Sequence, residues 1–210
     1  MKQRGRYETS GLECETGPRG KVLKNLLDIK TQKEINRIET VALKQAEELL
    51  FSKYDKNHPF TTTDICHMHK VWLECIYEWA GKYRGVDLIK GIRFAHAVYI
   101  PTLMKEFEEK YLKLHTPCIF DSRERVIQAL AAVHVELILI HPFREGNGRV
   151  ARMLATLMAL QAGLPPLDFR SIQGRKKQSY FKAVQEGRGG NYRAMERIFE
   201  RIVETTLSTG

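Results

Sequence analysis

The chain has 210 residues, with 34 Lys and Arg against 25 Asp and Glu, a net charge of +9 and 43% hydrophobic residues. Length and composition allow one domain with its own core, and exclude a collagen-like repeat or a largely disordered chain. The basic balance suits an acidic partner (nucleic acid, an anionic membrane surface or a polyphosphate ligand) and cannot by itself choose among them.

In chain order, residues 1–20 are polar and read as a flexible N-terminal segment ahead of a domain over 21–210. Thr31-Gln32-Lys33-Glu34 is a capping box, and Ile35, Ile38, Val41, Ala42, Leu49 and Leu50 continue at helical spacing, predicting a helix near 32–52. A second helix opens at Thr63-Asp64. Ile65, Met68, Trp72, Ile76 and Trp79 line one stripe of it, and Gly81 ends it. Over 84–100 the pattern changes. Val86, Leu88, Phe94, Val98 and Ile100 among glycines predict a short hairpin or flap that turns at Lys90-Gly91. Pro101 suits the first turn of a helix carrying Leu103, Phe107, Tyr111 and Leu114.

Asp121 with Glu124 opens an apolar helix that stops at His141-Pro142, because proline disfavours helix in the residue before it. Further helices are expected from Asn147 to Ala162, near 175–187 and near 192–207. The sum is a compact all-α domain with a small β-hairpin flap. The most apolar stretch, Ala129 to Ile140, is interrupted by His134 and Glu136 and falls short of the roughly 20 residues a bilayer needs, so no membrane partner is expected. No secretory signal is visible. Cys14, Cys66, Cys75 and Cys118 form no CxxC pair, which suits a reducing compartment. Cys66, His67 and His69, on a helix, do not point at one metal ion.

The informative segment runs His141-Pro142-Phe143-Arg144-Glu145-Gly146-Asn147-Gly148-Arg149-Val150-Ala151-Arg152, where one helix ends and the next begins. Glycines let a ligand approach the backbone. The following helix N-terminus offers unpaired N–H groups and a partial positive charge, a ready anion site. Arg149 and Arg152 share a helix face and can both reach phosphate oxygens. Asn147 can cap the helix or bond an oxyanion. Glu145 suits Mg²⁺, which takes one or two carboxylates plus substrate phosphates. His141 has the ordinary pKa of a general base at neutral pH. Each residue alone also reads as a plain helix stop or turn; their coincidence points to nucleotidyl or phosphoryl transfer.

This stretch resembles the signature of the Fic family, His-x-Phe-x-Asp/Glu-Gly-Asn-Gly-Arg-x-x-Arg, at every fixed position. Arg84 to Phe94 with Ile100-Pro101 is similar to the family's flap, Leu23-Lys24-Asn25 to the approach to its first helix, and Tyr180 to Phe199 to its last core helices. The resemblance implies a bacterial cytoplasmic enzyme, with delivery into another cell also compatible. Its reaction would be AMPylation, the transfer of AMP from ATP to a protein hydroxyl. It implies His141 as the base, Glu145 as the Mg²⁺ ligand, Gly146, Asn147 and Gly148 as the anion hole, and Arg149 and Arg152 on the outer phosphates. Phe143 would be a core anchor for the loop. Tyr180, Phe181 and Val184 would line the adenine pocket. Lys90, Gly91, Ile92, Arg93 and Phe94 would clamp the target by strand pairing.

Gly148 favours adenylyl transfer over the Doc-like kinase branch, which usually carries lysine there. No full Ser/Thr-x-x-x-Glu-Gly/Asn inhibitory motif is present. Thr9/Glu13 and Thr102/Glu106 have the spacing without the final residue, and Glu186-Gly187 has Lys182 in place of the hydroxyl. The expectation is therefore a separate small antitoxin as partner, with self-AMPylation as a further outcome. A basic nucleic-acid-binding module is the other reading. It rests on the charge and on Arg175-Lys176-Lys177, and no nucleic-acid motif supports it.

Overall fold

A computed structural model describes residues 8–9, 22–89, 94–172 and 177–209. Thr31 caps α1 (Gln32–Lys53) by accepting from the Glu34 amide, so the first helix starts where its capping signal stands. A reciprocal capping box of Thr61 and Asp64 starts α2 (Thr62–Leu73).

That helix stops at Leu73, short of the Gly81 expected from the stripe. Ile76, Tyr77, Ala80 and Lys82 instead close successive tight turns onto the carbonyls of Leu73, Leu73, Tyr77 and Trp79. The reversal has a physical cause. Gly81, at φ +76°, brings its N–H back to His69 Nδ1 at 2.8 Å, a return that a continuing helix could not make.

In the flap region, β2 (Leu88–Ile89) pairs antiparallel with β1 (Glu8–Thr9), Glu8 opposite Ile89 and Thr9 opposite Leu88. The N-terminal segment read as loose therefore supplies a strand. On the return leg, the Phe94 amide donates to Leu88 O at 3.2 Å. The expected turn at Lys90-Gly91, with Ile92 and Arg93, lies outside the described residues. Val98, expected to pack with the hairpin, sits in a 3₁₀ turn (Ala97–Tyr99) and is 76% exposed.

Pro101 stands in the first turn of α3 (Ile100–Phe107), which runs through a π-helical turn (Glu108–Leu112) into α4 (Lys113–His115). Ser122, not Asp121, caps α5 (Arg123–Ile140), accepting from the Arg125 amide. This helix is the axis of the core, buried from Val126 to Ile140 on nearly every side and packed by α6 (Asn147–Gln161), α8 (Arg193–Thr209), α3 and α7 (Lys177–Glu186). Gly187 allows the α7–α8 junction to lie against α5; a Cβ there would meet Val135 Cγ1 at 2.3 Å. Among the described residues, no helix is long and apolar enough to cross a membrane.

Candidate active site

The loop between α5 and α6 carries the signature residues, and its backbone is held from every side. His141 terminates α5 in the left-handed region, at φ 55°, a conformation unusual for a residue with a Cβ. Its amide donates to Leu137 O at 3.0 Å, and its own carbonyl accepts from Arg84 Nε at 2.8 Å. His141 Nδ1 lies 3.0 Å from Ile138 O. A carbonyl can only accept, so Nδ1 carries the proton and Nε2 is the basic nitrogen. The Phe94 ring stacks on the imidazole, centroids 3.7 Å apart, and leaves His141 5% exposed.

Phe143 is fully buried and stacks on His69 at 3.9 Å, as an anchor should. Asn147 brackets it: Oδ1 accepts from the Phe143 amide at 2.8 Å and Nδ2 donates to the Phe143 carbonyl at 2.7 Å. The Asn147 side chain is thus spent on loop shape. His69, which receives Gly81 N–H on Nδ1, donates from Nε2 to Glu145 O at 3.1 Å. Burial drives its pKa down to about 3, so it stays neutral.

The cradle begins at Gly146, at φ +84°, where a Cβ would strike Trp72 Cζ3 at 2.6 Å. No side chain caps α6, so the first-turn amides of Asn147 and Gly148 face the space ahead of the helix. A Cβ at Gly148 would lie 3.5 Å from Arg152 Nη1, so the missing side chain opens room beside that guanidinium. Arg152 is buried, which disfavours its charge, yet it forms no ion pair among the described residues. Arg152, Arg149, Glu47, Thr156 and Phe169 border a cavity of about 130 Å³. Burial pushes the Glu47 carboxyl up and the Arg152 charge draws it down.

Arg149 is oriented differently. Its Nη1 donates to the buried Glu39 Oε2 at 2.8 Å, Nη2 lies 3.5 Å from Glu145 Oε1, and the guanidinium sits 4.3 Å over the Trp72 ring. Glu145 Oε1 also accepts from the Gly146 amide at 2.9 Å. Among the described residues no three acidic, histidine or cysteine side chains gather. Glu145 is a carboxylate of the kind that Mg²⁺ takes together with phosphates and water.

The expected adenine-pocket residues divide. The Tyr180 hydroxyl donates to His134 Nε2 at 2.8 Å inside the core, and Val184 is buried; Phe181 is 37% exposed. Phe94 is the flap residue brought to the site, and Lys90, Gly91, Ile92 and Arg93 lie outside the described residues. Cys66, His67 and His69 diverge: His67 Nε2 lies 2.7 Å from Lys53 Nζ, while His69 faces the loop. The sequence reading missed Glu39 and Glu47, weighed His69 only as a metal ligand and placed Arg84 in the flap without a role. One signal existed: Glu39 interrupts the apolar spacing of Ile35, Ala42, Ala46 and Leu50 on α1.

Comparison with known proteins bears on this geometry. A profile of the Fic/DOC family matches residues 59–159. "Probable protein adenylyltransferase Fic" of Salmonella typhimurium is 31% identical over 151 residues, 69% of this chain and 70% of that protein. Protein adenylyltransferase VbhT of Bartonella schoenbuchensis is 31% identical over 97% of this chain, which spans 41% of VbhT. The crystal structure of BepC from Bartonella tribocorum, with bound AMPPNP, superposes with a TM-score of 0.69 at 23% identity, covering 86% of this chain and 91% of that one, a shared fold.

Proposed function

The chain belongs to the Fic/DOC family, and on that premise we propose that it is a protein adenylyltransferase, moving AMP from ATP to a Ser, Thr or Tyr hydroxyl of a protein. The observation that carries the reading is the locked tautomer of His141 beside an uncapped helix N-terminus. His141 Nε2 takes the proton of the target hydroxyl. The freed oxygen attacks the α-phosphorus, the bond to the β-phosphate oxygen breaks, and pyrophosphate leaves. The amides of Asn147 and Gly148 and the Arg152 guanidinium hold the phosphates where negative charge develops.

Arg149, fastened to Glu39, fixes the first turn of α6. Glu145 would hold Mg²⁺, which would supply neutralisation of phosphate charge when bound. For adenine, the exposed ring of Phe181 is the candidate contact, while Tyr180 and Val184 lie in the core behind it. The flap from Lys90 to Phe94 clamps the target segment by strand pairing.

Incubation of the purified chain with a bacterial lysate and ATP labelled at either phosphate tests the reaction. Label from the α-phosphate on protein is expected, and it should vanish in His141→Ala while thermal unfolding stays cooperative. Label from the γ-phosphate instead would mean phosphorylation and overturn the proposal. Restraint by a separate small antitoxin is supported by the lack of an inhibitory motif in the sequence. The purified chain alone should then label strongly, itself included; a sharp rise in activity on replacing Glu186 would contradict this.

A further inference from the structure

We propose that Arg84 is a positioning residue that fastens the flap to the catalytic histidine, so that target clamp and general base move as one body. The role rests on the adenylyltransferase reading above. Arg84 is 4% exposed. Its Nε donates to His141 O at 2.8 Å, Nη1 to Val86 O at 2.6 Å, and Nη2 to Ala95 O at 2.6 Å and Ile140 O at 3.4 Å. Its backbone N–H donates to Pro142 O at 2.9 Å.

These acceptors are all main-chain carbonyls, and they belong to three separate pieces of structure. Val86 lies on the outgoing leg of the flap and Ala95 on the return leg. Ile140, His141 and Pro142 form the end of α5 and the start of the catalytic loop. Helix C-terminal carbonyls lack intrahelical partners and carry partial negative charge, so a buried cation is favoured there. A guanidinium is planar, with five donors in a rigid fork, so it fixes the spacing of the carbonyls that it joins.

Two features make this more than general scaffolding. His141 holds a left-handed conformation, which needs external support, and Arg84 bonds the carbonyl of that very residue. Phe94, whose ring covers the imidazole at 3.7 Å, immediately precedes Ala95, the residue Arg84 holds on the return leg. The carbonyls that the Arg84 side chain holds lie on the flap and at the end of α5, ahead of the phosphate cradle at the start of α6. Loss of Arg84 should therefore separate nucleotide binding from chemistry.

The test compares wild type with Arg84→Lys and Arg84→Met. Three quantities are measured: affinity for AMPPNP with Mg²⁺, maximal α-phosphate labelling of a bacterial lysate at saturating ATP, and the lysate concentration giving half that rate. In Arg84→Met, nucleotide affinity should stay within about twofold, the maximal rate should fall by about tenfold or more, and the half-saturating concentration should rise. Arg84→Lys should recover part of the rate, since an ammonium offers three donors without the fork. An unchanged maximal rate, or nucleotide affinity falling in step with the rate, overturns the proposal.

If the Met variant does not fold, hydrogen exchange of the wild-type amides decides. Those of Arg84, Phe94 and His141 should open together, and clearly separate opening rates would refute the coupling. Absence of any α-label with wild type would sink the adenylyltransferase reading, while the exchange data would still judge the fastening.

Discussion

His69 and His134 are buried histidines; the Gly81 N–H that His69 Nδ1 accepts requires its neutral ring, and burial keeps the His134 ring neutral. His69 donates to Glu145 O; His134 lies 3.3 Å from Ala151 O and accepts from Tyr180. Burial, aided at His134 by the Arg152 charge, drives both down to about 3. The unfolded chain takes up these protons below about pH 6.5 and the folded one does not until near 3, so stability is full above 6.5 and drains away as pH falls. At pH 5.5 the loss is about 1.4 kcal/mol per histidine. Urea unfolding at pH 7.5 and 5.5 checks this; equal stabilities would mean that the rings are not held neutral. Glu47 offers a second check at this scale. Its carboxylate shares a cavity with Arg152, so it opposes incoming phosphate and partly offsets the arginine charge. Glu47→Gln should tighten AMPPNP binding by about threefold by calorimetry. Weaker binding would place Glu47 away from the phosphates.

At the scale of elements, a single buried acid joins three helices. Glu39 on α1 accepts from Arg149 Nη1 on α6 at 2.8 Å and from Tyr77 Oη at 2.7 Å, and its carbonyl accepts from Trp72 Nε1 on α2 at 2.9 Å. Glu39→Ala leaves the Arg149 charge without its main partner and should cost about 3 kcal/mol in chemical denaturation. A cost below about 1 kcal/mol would mean that the pair is effectively solvated.

The helices were legible because capping residues and apolar spacing are local: Thr31 and Pro101 mark starts that the structure keeps. The signature loop was legible because its glycines, amide and charges are contiguous. What escaped depends on contacts across the chain. The end of α2 is set by Gly81 reaching back to His69, and Glu39 and Arg84 find their partners far away in sequence. Periodicity alone continued the α2 stripe to Trp79, and nothing in the local sequence opposes it.

For the whole molecule, the excess of positive charge, +9, is only partly accounted for by the site. Arg149 is paired with Glu39 and Arg84 with carbonyls, so the phosphate role proposed above falls to Arg152. The pairing of β1 with β2 has a broader consequence. Glu8 and Thr9 occupy the edge of Leu88–Ile89, the edge that a target strand would use under the proposed clamping. Deletion of residues 1–10 should therefore lower the lysate concentration that half-saturates α-phosphate labelling, and an unchanged value would show that targets dock elsewhere. Because this occupant is tethered, its rivalry with a target is unimolecular, and dilution cannot relieve it. If the flap takes its target by strand pairing, the threshold for action is set by how well a client competes with the chain itself, and a clip or chemical mark near Glu8 and Thr9 would shift that threshold without touching the signature loop.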